Sequence, residues 1–173
     1  MSYLALDTLV AQIRSLPGQP VDLSLPRAAV RPHAAVAAEP LTLAELRVQT
    51  AALLARLAER VDATVPNALR LAETAWDQAD AFVVFDDELR QQTLALAATA
   101  DLLAADEDDV TRAAGVEARL AIDSAVGLVA LVERRFAALV RLRLRSATPE
   151  LIVDGKPFLD VAAALAEASR RWR

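Results

Sequence analysis

The chain has no cysteine and only one histidine, one lysine, one methionine and one tyrosine in 173 residues. Without cysteine there is no disulfide and no thiolate nucleophile, and a zinc site would lack its usual ligands. The only imidazole, His33, lies in a proline-punctuated stretch, where rigid placement beside a nucleophile is least expected. A Ser-His-Asp or Cys-His site is therefore not expected. Four glycines leave no Gly-rich phosphate loop. No apolar run is long enough to span a bilayer. The stretch from Ala125 to Val132 is far too short, and Asp123 and Glu133 flank it. Met1-Ser2-Tyr3-Leu4 has neither the charged nor the long apolar region of a signal peptide, so a cytoplasmic location is the expectation. The net charge of −5 lacks the basic balance that nonspecific nucleic-acid binding requires.

What remains is mostly helix-forming. Hydrophobic residues make up 55% of the chain and aromatics only 4%, and much of the apolar share is alanine. Alanine loses no side-chain entropy in a helix, so it favours one. It also buries little area, and burial yields about 25 cal/mol per Å². An Ala/Leu core predicts modest stability for the isolated chain, with melting inside the usual mesophile range of about 45–65 °C.

The pattern divides the chain into residues 1–40, 41–146 and 147–173. In the first segment, Leu6, Leu9, Val10 and Ile13 fall on one face of a short helix, which Leu16-Pro17-Gly18-Gln19-Pro20 ends. An extended arm with Pro26, Pro32 and Pro40 follows. At Thr42 the character changes. Thr42-Leu43-Ala44-Glu45 is a capping box, and Leu43, Leu46, Thr50, Leu54, Leu57 and Val61 then form one stripe. Thr64-Val65-Pro66 reads as a restart, with a second helix running to about Ala75. A short apolar helix is expected over 79–85. Asp86-Asp87-Glu88 opens another to about Ala105, with Leu89, Leu96, Ala100 and Leu103 inward.

Asp106-Glu107-Asp108-Asp109 lacks the spaced ligands and central glycine of a calcium loop. It suits the start of a helix, whose dipole favours acids. That helix is expected from about Glu107 to Arg145, with Val116, Leu120, Ile122, Val126, Val129, Val132, Phe136, Leu139, Val140 and Leu144 forming its apolar pattern. Gly115 is expected to bend it, and Gly127 to permit close helix contact. Its end carries Arg134, Arg135, Arg141, Arg143 and Arg145, against acids concentrated between Glu73 and Asp109. A charge match within or between chains follows. In the last segment, Asp154-Gly155 suggests a turn or short hairpin, and Pro157 can open a final helix with Phe158, Val161, Leu165 and Trp172 on one face. The fold expected is all-α, a bundle of four or five helices with an N-terminal arm and a C-terminal helix. Carboxylates that could form an acid–base pair are Glu73, Asp77, Asp80 and Asp123.

One stretch resembles a known family. Leu41-Thr42, followed by Leu46-Arg47-Val48-Gln49, is similar to the "(I/L)-T-P-E-T-L-R-x-Q-A" pattern of the small subunit of adenosylcobalamin-dependent diol and glycerol dehydratases. Carried onward, Arg60, Ala68 and Leu71 fall on similar residue types, Asp77 on an aspartate that begins a helix, and Arg90, Leu96, Ala98, Ala100 and Asp101 on the next helix. The resemblance covers about residues 20–105. Departures are Leu43 in place of the proline, Ala75-Trp76 where the family has Val-Pro, an insertion at 106–119 and an additional tail from 147 to 173. The resemblance implies an accessory subunit of a lyase without catalytic residues, which binds the large subunit partly through its arm. The cobalamin would lie between the large and medium subunits, with no cofactor or metal held by this chain. Leu46, Arg47, Gln49 and Arg90 are the residues it marks for partner contact. The residues alone also allow a stand-alone interaction protein, such as a homodimeric adaptor or chaperone, with neither nucleic acid nor membrane as partner.

Overall fold

The structure, a computed structural model, describes residues 41–74, 86–145 and 154–173, with Ser15 as an isolated helical position. The expected N-terminal helix and arm, His33, the 79–85 helix and the 151–153 part of the hairpin lie outside the described residues. Four helices account for nearly everything described: α1 (Leu43–Thr74), α2 (Asp87–Ala104), α3 (Asp109–Arg145) and α4 (Lys156–Trp172). The protein is an all-α bundle, as the helical period predicts. Among the described residues there is no strand, and no helix is long and apolar enough to cross a membrane.

Local chemistry sets each start. At α1 the Thr42 backbone N–H donates to Glu45 Oε2 at 2.7 Å, and the Glu45 N–H donates to Thr42 Oγ1 at 3.3 Å. This reciprocal pair satisfies two amides that the helix itself leaves open. At α2 Asp86 is the cap and accepts the Leu89 N–H at 2.9 Å. Between α2 and α3 the Asp108 N–H donates to Asp106 Oδ1 at 2.9 Å, and the Thr111 N–H donates to Asp108 Oδ2 at 2.8 Å. Asp106 and Asp108 thus build the turn, so α3 starts at Asp109, two residues later than expected. Pro157 sits in the first turn of α4, where its missing N–H costs nothing.

The expected break at Thr64 is absent. α1 runs through Pro66 as one helix of 32 residues. A mid-helix proline removes one hydrogen bond and costs about 3 kcal/mol. Here Pro66 is exposed, while Val61 and Val65 on the same stripe are fully buried. Burial of an unbroken apolar face offsets the lost bond.

The core gathers all four helices. Leu46, Leu54 and Leu57 of α1, Leu89 of α2, Ile122 and Phe136 of α3, and Phe158 and Leu165 of α4 are among its largest members. Phe136 and Phe158 meet edge to face, with ring centroids 4.8 Å apart and planes at 64°. α4 packs mainly on α1, so the tail segment is part of the bundle. The Ser169 hydroxyl, itself buried, donates to the Ala51 carbonyl at 2.8 Å and fixes that packing. α2 packs mainly on α3.

Gly115 makes the α2–α3 contact possible. A Cβ there would stand 2.3 Å from the Ala104 nitrogen, 2.7 Å from the Leu103 carbonyl carbon and 2.8 Å from the Ala100 oxygen. A bend was expected of Gly115; what the structure shows there is a close approach of α2. With α2 seated against Ala114, Gly115 and Ala118, the opposite side of α3 faces outward. Val116 and Leu120, expected as part of the apolar pattern of this helix, are therefore 46% and 52% exposed.

Candidate functional site

The face marked by Leu46, Arg47, Gln49 and Arg90 separates into an interior and a surface. Leu46 is fully buried, because it continues the stripe of Thr50, Leu54 and Leu57 toward the core. It holds α1 in place and presents nothing to a partner, which corrects its expected contact role. Arg47, Val48 and Gln49 are exposed, Val48 at 65%.

Arg90 is also exposed and pairs with Asp87 at 3.0 Å. The Arg60–Asp86 and Arg56–Glu88 ion pairs, at 2.5 and 3.2 Å, run α2 antiparallel to α1. That register puts Arg90 level with about Arg56. Nine residues of helix, roughly 13 Å, then separate it from Arg47 along the axis. The structure does not bring the two arginines into one patch.

Several charged groups elsewhere bond within or between helices. Arg119 bonds Asp123 at 3.1 Å within α3 and also reaches Asp101 on α2. Burial pulls the Arg119 pKa down, but its bonds to Asp123 and Asp101 outweigh that and leave it raised. Backbone hydrogen bonds dominate the lowered pKa values of three caps: Glu45 by the Thr42 amide, Asp86 by the Leu89 amide and Asp108 by the Thr111 amide. Glu167 is lowered by Arg170, which bonds it at 2.7 Å. The acidic run 106–109 serves a turn and a cap. No group of three or more potential metal ligands occurs among the described residues.

Of the proposed acid–base carboxylates, Asp123 is a surface partner of Arg119, whereas Asp77, Asp80 and the Glu73 side chain lie outside the described residues. Trp172 packs part-buried against the core as an anchor. The sequence reading missed the outward apolar side chains Val48, Leu102, Val110, Val116 and Leu120. A signal for Val116 and Leu120 was available: they lie across the helix from Ala118 and Ile122. It was obscured because α3 carries apolar residues on more than one side.

Comparison with protein-family models, with curated proteins and with solved structures gives no match. The fold and surface define a class only, an all-α helical bundle protein.

Proposed function

We propose that this chain is a noncatalytic helical subunit that works by being held against a larger catalytic protein, in the manner of the small subunit of a diol or glycerol dehydratase. The observation that carries the reading is how its acids are used. Among the described residues, the carboxylates with shifted pKa values (Glu45, Asp86, Asp108 and Glu167) are all lowered by caps and arginines. A general acid or base working near neutrality needs the opposite shift. These groups are set to hold helices. Exposed Arg47, Val48 and Gln49 then supply a charge, an apolar contact and an amide on one exposed turn of α1. Such a mixed face suits a protein interface, in which arginine is enriched.

In such an assembly adenosylcobalamin would be held by the larger subunits, and this chain would contribute position only. The test is affinity purification of the tagged full chain from its native host, with every co-purifying protein identified by mass spectrometry. The reading expects a large catalytic subunit in near-equal amount, and less of it with Arg47→Glu. Recovery of the chain with no large subunit would overturn it.

A further inference from the structure

We propose that the outward face of α3 is a self-association seam, on which a second copy of this chain lies antiparallel. The seam is read from spacing and exposure together. Val116, Leu120, Asp123, Gly127, Ala130, Arg134, Ala137 and Arg141 recur at alternating steps of four and three residues. That spacing keeps a single stripe facing one neighbour, as in a coiled coil. All of these residues are exposed or part-exposed, although α3 buries thirteen others.

The stripe is self-complementary under a two-fold axis midway between Leu128 and Val129. In that register Val116 of one copy lies level with Arg141 of the other, Leu120 with Ala137, Asp123 with Arg134, and Gly127 with Ala130. A large side chain meets a small one, an acid meets an arginine, and the smallest residues stand where the helix axes approach. A two-fold interface demands this reciprocity of each pair.

Charge along the helix is divided in the same sense. Within α3, residues 109–125 hold Asp109, Glu117 and Asp123 against Arg112 and Arg119. Residues 126–142 hold two exposed arginines, Arg134 and Arg141. An antiparallel pair sets Asp123 of each helix beside Arg134 of the other, and in-register parallel pairing would set like charges opposite each other. Asp123 is suited to a second cation because its partner Arg119 is shared with Asp101.

The seam from Val116 to Arg141 spans roughly 38 Å of helix. A stripe about 10 Å wide, counted on both copies, covers on the order of 800 Å², below the standard size of a stable interface. An interface of that size belongs with the weak, transient ones, so dimerisation is expected at roughly micromolar concentrations.

Sedimentation equilibrium of the full chain from 1 to 300 μM tests this, with circular dichroism as the check on folding. The expected result is a monomer–dimer equilibrium. Asp123→Arg and Arg134→Asp are surface changes, and each alone is expected to weaken the dimer at least tenfold. Mixing the two variants is expected to give a heterodimer as tight as the parent dimer, since both contact pairs are then restored. Leu120→Arg tests the apolar pair and is expected to leave a monomer. A chain that is monomeric at 300 μM would overturn the proposal. So would a dimer that Asp123→Arg and Arg134→Asp leave unchanged, or a mixture no tighter than its components.

Discussion

Gly115→Ala should destabilise the bundle, although alanine is the better helix former. In a free helix the change gains about 0.8–1 kcal/mol. In this helix the new methyl carbon would lie 2.3 Å from the Ala104 nitrogen, with Leu103 and Ala100 backbone atoms also inside 3 Å. These are main-chain atoms, so no side chain can rotate away. Ordinary contact begins near 3.4 Å, so α2 must move off α3 by about 1 Å or the end of α2 must unwind. Overpacking of a tight contact costs about 1–3 kcal/mol, and backbone against backbone belongs at the upper end. Subtracting the propensity gain leaves a net loss of about 2 kcal/mol, or roughly 4–8 °C in Tm for a chain of this size. Urea and thermal unfolding followed at 222 nm measure it. A variant as stable as the parent, or more stable, would refute the α2–α3 packing described above.

Other outcomes follow from single buried groups and from the caps. The Thr50 hydroxyl is buried without a hydrogen-bond partner, so Thr50→Val should raise stability by about 1 kcal/mol in urea unfolding. Ser169→Ala removes the bond to the Ala51 carbonyl and should lower stability by about 1 kcal/mol, with α4 the first element to lose amide protection in hydrogen exchange. Glu45, Asp86 and Asp108 have lowered pKa values in the folded chain. Their contribution is fully present above the unfolded carboxylate pKa of about 4 and is lost as pH falls through the lower folded values. Stability should therefore be level near neutrality and fall below about pH 4. Asp108→Asn and Asp86→Asn should flatten that fall, and a pH series of urea midpoints reads it.

Much of the fold was legible because helices signal locally. The Thr42–Glu45 box, the Asp86 start and the Leu46–Thr50–Leu54–Leu57 stripe needed only near neighbours in sequence, and each is present in the structure. What failed depended on distant contacts. Pro66 reads as a boundary until the buried Val61–Val65 face before it and Ala68 packed on the core after it are seen. Gly115 looks like a bend in sequence, and only the position of α2 shows that it is pressed against backbone. Val116 and Leu120 carry apolar side chains on a helix that buries its opposite side, so composition alone counted them in its apolar pattern. The candidate contact site was partly legible for the same reason. The Leu46-Arg47-Val48-Gln49 motif marked one turn of α1, but it did not show that Leu46 serves the core while its neighbours face out.

The account holds that this 18.5 kDa chain acts through a grip on another protein. The most direct measurement is the size at which the untagged chain travels in a gently lysed extract of its native host, by gel filtration with immunodetection. The account predicts elution with an assembly several times heavier than a dimer of the chain, shifted to smaller size by Arg47→Glu. Elution entirely at the mass of a monomer or a dimer, at native abundance, would contradict it.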